Sequence, residues 1–372
     1  MRITAVEAIP LRMPLAHPYE ISVGTRQEAY IVIVVIRTDE GVVGYGDTSS
    51  VDGMPIASET QASIVAIVRD HLSPMLIGEN PLEVPKLIDK MNTSIFGNNY
   101  AKAAIDSALY DCAGQALNLP VYMLLGGRRR DTVLLSAGVG ARDPAMAAKT
   151  AEDALAAGYR SLKVKVGFGH KRDFENVRAI RDMAGPDIPI RIDANAGWSF
   201  VSAVQAIRRL ESCDLQLVEQ PLKRYDFAGM AALAAAVDVP IAADEMVASP
   251  EDTQNMIRFQ AAEMVNMKVM KLGGLCQALR ATHILDACDL QYWVGTMGET
   301  GIGVAANLHF CAAVKSLPVA NEGARPAPYF LGDDVIEQPF VVKDGCVSID
   351  QISRPGLGIE VDWKQIARYR ID

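Results

Sequence analysis

An α/β chain built as a modified (β/α)7β barrel of the TIM type, preceded by an α+β capping domain, is the fold this sequence predicts. Three observations predict it. The first 125 residues run from β-branched strands into helices. From Thr132 onward a short apolar strand and a helix alternate on a regular beat. The 372 residues suit a barrel of about 250 residues plus a smaller domain.

Taken in order, Ile3 to Arg12 alternates apolar and polar residues, and Tyr30-Ile31-Val32-Ile33-Val34-Val35-Ile36 is β-branched and aromatic. Gly41 to Gly46 follows the turn Asp39-Glu40-Gly41, so three strands are expected. Helical spacing then takes over at 58–72, 81–91 and 100–117. Residues 1–125 are expected to form the capping domain, with 350–372 packing back on it, and 130–345 the barrel. The basic run Gly126-Gly127-Arg128-Arg129-Arg130 reads as a solvated linker, because three arginines alone do not specify a phosphate site.

The barrel strands are expected at 133–137, 161–166, 188–193, 215–219, 241–243, 264–268, 291–294 and 319–321. Helices are expected between them at 145–156, 174–184, 202–211, 230–236 and 275–288. Strands separated by helices at intervals of about 25 residues mean βα units and a parallel sheet, and eight units close most economically into a barrel. The alternative, an open doubly wound sheet, calls for a glycine-rich phosphate loop after its first strand. Ala137-Gly138-Val139-Gly140 lacks the third glycine of that loop.

Composition narrows the function. Half the residues are hydrophobic and 22% are charged, enough for a large core. A net charge of −9 argues against nucleic acid, which demands a basic face, but not against a small anionic substrate. No apolar run reaches the roughly 18 residues of a membrane span, and the N-terminus does not read as a leader. Six scattered cysteines without a CxxC pair fit a reducing cytoplasm, which is the expected location.

A barrel concentrates chemistry at the carboxyl ends of its strands. Those ends carry, in order, Lys163 and Lys165, Asp193, Glu219, Asp244 and Lys268. Three carboxylates converging on a dry barrel mouth repel one another unless a cation neutralises them. An all-oxygen set without Cys or His favours Mg²⁺ over Zn²⁺. Each acid taken singly also reads as a helix N-cap or a solvated loop residue. Lys163 and Lys165 alternate on one strand and so face the same side. Like charge and desolvation are expected to lower a lysine pKa toward the range of a general base. Lys268 lies across the barrel, so two bases can serve opposite faces of one carbon; lysines snorkelling from the rim are the bland alternative. Histidine is excluded as the base, since His17, His71, His170, His283 and His309 fall in loops or helices. Gly298-Glu299-Thr300-Gly301-Ile302-Gly303 reads either as backbone donors at a helix N-terminus or as a tight turn.

At these residues the chain resembles the enolase superfamily, in its muconate lactonizing enzyme subgroup, over nearly its whole length. The matching motifs are Lys163-Val164-Lys165, Asp193-Ala194-Asn195, Val218-Glu219-Gln220-Pro221, Ala243-Asp244-Glu245 and Lys268-Val269-Met270-Lys271-Leu272-Gly273-Gly274. The resemblance implies an isomerase that removes the proton next to a substrate carboxylate through an enolate. It implies one Mg²⁺, with Mn²⁺ able to substitute, on Asp193, Glu219 and Asp244. Lys165 and Lys268 would be the acid/base pair, Lys163 would tune Lys165, and Asn195 and Glu245 would support the metal. A homo-oligomer and a small-molecule carboxylate substrate are expected in the same way.

The His–Asp pair of the mandelate racemase subgroup is missing, with Thr296-Met297 near the end of strand 7, which disfavours dehydration. Substrate contacts are expected from Tyr19, Thr296, Met297, Glu299, Asn321 and Glu322, and cap segments 19–21 and 49–52 are expected to close over the substrate. Asn321-Glu322-Gly323 replaces the Asp-x-Asp of dipeptide epimerases. That stretch and 97–106 resemble the proline-betaine epimerase branch instead, which implies a racemase or epimerase of an N-substituted or cyclic amino acid. Muconate-type cycloisomerisation stays open, because Gly295-Thr296-Met297 and Glu299 resemble that branch. Dehydratase, dipeptide epimerase and a non-catalytic metal-binding barrel are the remaining alternatives.

Overall fold

The computed structural model describes residues 1–140, 143–315, 317–322 and 329–371. It opens with a three-stranded antiparallel sheet: β1 (Ile3–Ile21), β2 (Gly24–Thr38) and β3 (Val43–Ser50). The central strand β2 is covered on both faces, so Ile31 to Ile36 is buried without interruption and no alternation survives there. β1 runs nine residues beyond the expected end, because its second half pairs with the start of β2 as a long hairpin arm, Tyr19 opposite Arg26.

The helix Asn99–Leu117 lies across this sheet, and two glycines permit the approach. A Cβ on Gly46 would come within 2.0 Å of the Ala104 carbonyl oxygen, and one on Gly44 within 2.2 Å of that of Ala108. Only a residue without a side chain lets a helix backbone sit this close to a strand.

Two short strands follow, β4 (Thr132–Leu134) and β5 (Ala137–Val139), where the sequence predicts one. β4 pairs antiparallel with β12 (Cys346–Ser348), outside the barrel, and β5 alone enters the parallel sheet. The barrel continues through β6 (Leu162–Lys165), β7 (Ile190–Asp193), β8 (Leu217–Glu219), β9 (Ile241–Ala243), β10 (Met264–Met267) and β11 (Gln291–Val294). These seven strands are hydrogen-bonded in sequence order. The expected eighth strand is reduced to Asn321, which bridges Leu135 on one side. Its Oδ1 accepts from the Val294 N–H at 2.8 Å, and the Glu322 N–H donates to the Val294 carbonyl at 2.7 Å on the other. A side-chain amide and a backbone bond together complete the closure against β11.

Helices separate the strands as expected. Pro250–Phe259 was not anticipated, although Ser249 caps its Asp252 N–H and Pro250 sits in its first turn. The arginine run is not a solvated linker. Arg130 reaches the carbonyls of Cys311, Val314 and Lys315 at the end of helix Gly301–Ala313, where a cation meets the negative end of the helix dipole. Arg128 pairs with Asp131 and Asp350.

Buried acids join the N-terminal layer to the barrel. Asp106 accepts the Leu275 N–H at 2.6 Å and the Cys276 N–H at 3.2 Å, capping helix Leu275–Ala287 from another helix. Asp47 on β3 accepts the N–H and hydroxyl of Thr300 at the start of helix Gly301–Ala313. Asn99 donates to the carbonyls of Ala248 and Lys271. At the chain's end, helix Trp363–Tyr369 leads to Ile371, whose N–H donates to the Pro10 carbonyl of β1.

Candidate active site

The barrel brings the strand-end acids to one point. Asp193, Glu219 and Asp244 end or follow β7, β8 and β9 and are fully buried. Each offers an oxygen such that the three lie within 4.8 Å of one another. The set is all carboxylate oxygen and is backed by amide and ammonium donors. Such a set fits a hard divalent cation and offers nothing to a soft one.

Two lysines flank the trio, as the strand order requires. From β6, Lys165 Nζ lies 2.6 Å from Asp193 Oδ2, and Asn195 Oδ1 accepts from it at 3.0 Å. On the far side, Lys268 Nζ lies 2.6 Å from Asp244 Oδ2. Lys163 shares a face with Lys165 and bridges Asp193 at 2.9 Å, Glu219 at 2.8 Å and Glu322 at 3.1 Å. Asn195 holds a left-handed conformation with φ of 45°, its N–H on Asp193 and its amide donating to Glu245 Oε1 at 3.0 Å. One short side chain thus ties a lysine, a trio acid and Glu245 together.

The expected lowering of the lysine pKa does not occur. Burial alone would lower Lys165 and Lys268, but Asp193 beside one and Asp244 beside the other outweigh it and raise both. Lys163 is raised well above its ordinary value, again against burial, by Asp193, Glu219 and Glu322. The acids divide accordingly. Asp193 and Asp244 sit below the usual carboxylate range, because two lysines against each more than offset burial. Burial, with the Asp193 charge added, pushes Glu219 up to about 8.

Four further residues belong to the cluster and carried no role in the sequence reading. Lys271 is buried and donates to Asp244 Oδ1 at 2.8 Å. Asn266 donates to Glu219 Oε1 at 2.7 Å. Gln220, also at positive φ, accepts the N–H groups of Asp244 and Met246 and so aims the third acid. Arg191, fully buried within the barrel, donates to Glu322 at 2.6 Å and to the Ala320 carbonyl at 2.7 Å. Position gave a signal for two of them: Asn266 and Arg191 stand two residues before Lys268 and Asp193 at the ends of β10 and β7.

The expected substrate contacts divide. Tyr19 covers Lys165, whose ammonium stands 5.8 Å from the ring centre, and Arg26 stacks at 5.3 Å. Met297 lines a cavity of about 40 Å³ with Lys268, Asp244, Glu245 and Lys271. Thr296 donates to Glu299 Oε2, which also accepts the N–H groups of Met297 and Gly298, so this acid organises its own loop. Glu322 is engaged by Arg191, Lys163 and the Trp293 indole, and Asn321 closes the barrel. Gly323 lies outside the described residues. Of the cap segments, Ser49 donates to the Met297 carbonyl, while Asp52 accepts the Gln61 N–H.

Comparison with known proteins agrees with this geometry. Residues 3–126 match the N-terminal domain of the mandelate racemase / muconate lactonizing enzyme family, and residues 146–365 match the family described as enolase C-terminal domain-like. Over 365 residues the chain is 33% identical to N-succinyl-L-Arg/Lys racemase of Bacillus cereus, covering 97% of this chain and 96% of that protein. It is 33% identical over 362 residues to L-Ala-D/L-Glu epimerase of Bacillus subtilis, covering 96% and 97%. The crystal structure of muconate lactonizing enzyme from Pseudomonas fluorescens with muconolactone superposes with a TM-score of 0.95 at 32% identity, covering 100% of this chain and 99% of that one. With both halves matched and the acid trio and lysines gathered at the barrel mouth, the chain belongs to the enolase superfamily, in the mandelate racemase / muconate lactonizing enzyme family.

Proposed function

We propose that this enzyme removes and returns the proton on the carbon next to a substrate carboxylate, as a racemase or epimerase of an N-substituted or cyclic amino acid derivative. The observation that carries the reading is that Lys165 and Lys268 flank a single acid trio, each 2.6 Å from a different acid. The similarity to a racemase and an epimerase over nearly the full chain supports it.

Asp193, Glu219 and Asp244 would hold one Mg²⁺, with Asn195, Asn266 and Gln220 orienting them. When bound, that cation supplies positive charge that stabilises the negative charge developing on the substrate carboxylate and favours release of a lysine proton. In the ion-paired network Asp193 holds Lys165 protonated and Asp244 holds Lys268 protonated, so a divalent cation that took up these two carboxylates would ease the loss of a proton from either amine. Lys163, bridged by three acids, stays protonated. Lys165 as free amine takes the proton from one face of the α-carbon. The Lys268 ammonium returns one to the other face, which inverts the centre. Tyr19 keeps water from Lys165.

The test is incubation of N-acyl, N-methyl and cyclic amino acids in D₂O with Mg²⁺. Deuterium at the α-carbon together with loss of optical activity is expected. Absence of α-deuterium from every member of the panel sinks the proposal. A second reading, muconate-type cycloisomerisation, is favoured by the close superposition on muconate lactonizing enzyme. Loss of the ultraviolet absorbance of a conjugated diene would mark it.

A further inference from the structure

Asn195 joins a base to an acid through one amide. Its Oδ1 accepts from Lys165 Nζ at 3.0 Å, and its Nδ2 donates to Glu245 Oε1 at 3.0 Å. Its backbone is fixed: the N–H donates to Asp193 Oδ1 at 2.9 Å, and the residue holds φ of 45°, which Asn tolerates better than most. What is left is the turn of the amide about its last bond, which exchanges oxygen for nitrogen.

While Lys165 is an ammonium, that turn is settled from both ends. An ammonium only donates and so demands the oxygen, and a carboxylate only accepts and so demands the NH2. Once Lys165 gives up its proton the first demand lapses, because a free amine also accepts. An amide turned over would then donate into the lone pair that must take the substrate proton. Held as it is, Asn195 Oδ1 takes one N–H of the amine, Asp193 Oδ2 at 2.6 Å takes the other, and the lone pair stays open. Glu245 keeps it so. Its Oε2 is buried and meets no donor among the described residues, so the Asn195 amide is the one hydrogen-bond donor it has there. Turning the amide would set two oxygens against each other and strip this carboxylate of its donor. Lys268 has no such neighbour; among the described residues it donates to Asp244 Oδ2 alone. We propose that Glu245 is a positioning residue for one face of the reaction, holding the Asn195 amide so that it cannot quench the free amine of Lys165. The inference rests on the proton transfer proposed above and adds a residue to one side of it only.

The experiment follows α-deuterium uptake in the Mg²⁺-loaded enzyme, for both enantiomers of whichever N-acyl, N-methyl or cyclic amino acid the wild type exchanges. Lys165→Ala identifies the enantiomer that Lys165 serves. Rates are compared on the high-pH plateau of each variant, where the amine is free and a shifted pKa no longer counts. In Glu245→Gln the new amide can accept or donate, so the Asn195 amide is released. Exchange at the Lys165 face should then fall about 10-fold or more relative to the Lys268 face, in kcat rather than KM. Asn195→Asp combined with Glu245→Gln moves the carboxylate to the centre of the chain. There it accepts from both sides, cannot donate, and leaves the total charge unchanged. This double variant should return the ratio of the two faces to within about threefold of wild type. Equal slowing of both faces in Glu245→Gln, or an unchanged ratio, overturns the inference and leaves the two-lysine reaction standing. A double variant no better than Glu245→Gln does the same. Absence of exchange by the wild type with every compound overturns both.

Discussion

The Lys268 ammonium and the Asp244 carboxylate meet at 2.6 Å, and Lys271 takes the second Asp244 oxygen at 2.8 Å. Asp244 thus has a cation on each oxygen, while Glu219 shares Lys163 with Asp193. The trio is asymmetric in its counterions, and each of its members is expected to respond differently to substitution.

Replacing Asp244 tests the metal site. Asp244→Asn removes a charge but keeps the shape, so the fold should persist by circular dichroism and Mg²⁺ affinity should fall by at least about 100-fold, the upper value for losing even an outer partner of a metal site. Turnover should be abolished. Full activity of EDTA-treated wild type would overturn the assignment regardless of the variant.

The two lysines are separable by stereochemistry. Each alanine variant should lose about 10²- to 10⁴-fold in net inversion, the usual worth of general acid–base catalysis. Lys268→Ala should still exchange the α-proton of one enantiomer through Lys165, and Lys165→Ala only that of the other. If both variants lose exchange with both enantiomers yet bind Mg²⁺, the two-base reading fails. A lysine whose loss leaves net turnover intact is a bystander, and one-base cycloisomerisation then explains the site better.

The Arg191–Glu322 pair is a structural element within the barrel. Arg191 is fully buried, so Glu322→Gln leaves a guanidinium with weakened compensation, and breaking a buried pair of this kind costs about 3–5 kcal/mol. Urea unfolding should show that loss with an unchanged slope. A change below about 1 kcal/mol would mean that Arg191 is satisfied by the Ala320 carbonyl alone.

Asp106 gives a pH dependence to stability. Burial, only partly offset by its two backbone donors, raises its carboxyl to about 7. The folded state therefore holds this proton more tightly than the unfolded chain does. The stability it contributes is full below about pH 4 and is lost as pH rises toward 7, at up to about 1.4 kcal/mol per pH unit. Asp106→Asn, which cannot titrate, should flatten the fall in unfolding free energy between about pH 4 and 7. An identical pH profile in the variant would show that the carboxyl does not titrate in this window.

Much of this protein was legible in its sequence. The strand–helix beat from Thr132 predicted a barrel because parallel strands need crossovers. Each of Asp193, Glu219 and Asp244 closes an apolar run, and in a barrel such positions converge on one mouth whatever the loops do. Local pattern therefore sufficed to bring together the acids, the lysines of β6 and Lys268 just after β10. What the tertiary structure alone decided were relationships across the barrel. The direction of the lysine pKa shifts depends on carboxylates that arrive from other strands, at distances no spacing rule supplies. Arg191 and Glu322 lie 131 residues apart; the sequence gives Arg191 no role and reads Glu322 as a substrate contact, and packing makes them one ion pair within the barrel. The arginine run was misread for the same reason, since a guanidinium caps a helix more than 180 residues away; the eighth strand is shorter than expected, with the Asn321 amide adding to the backbone bonds that join it to its neighbours. Backbone periodicity records which face of an element is apolar. It does not record which polar side chain will satisfy a distant backbone group.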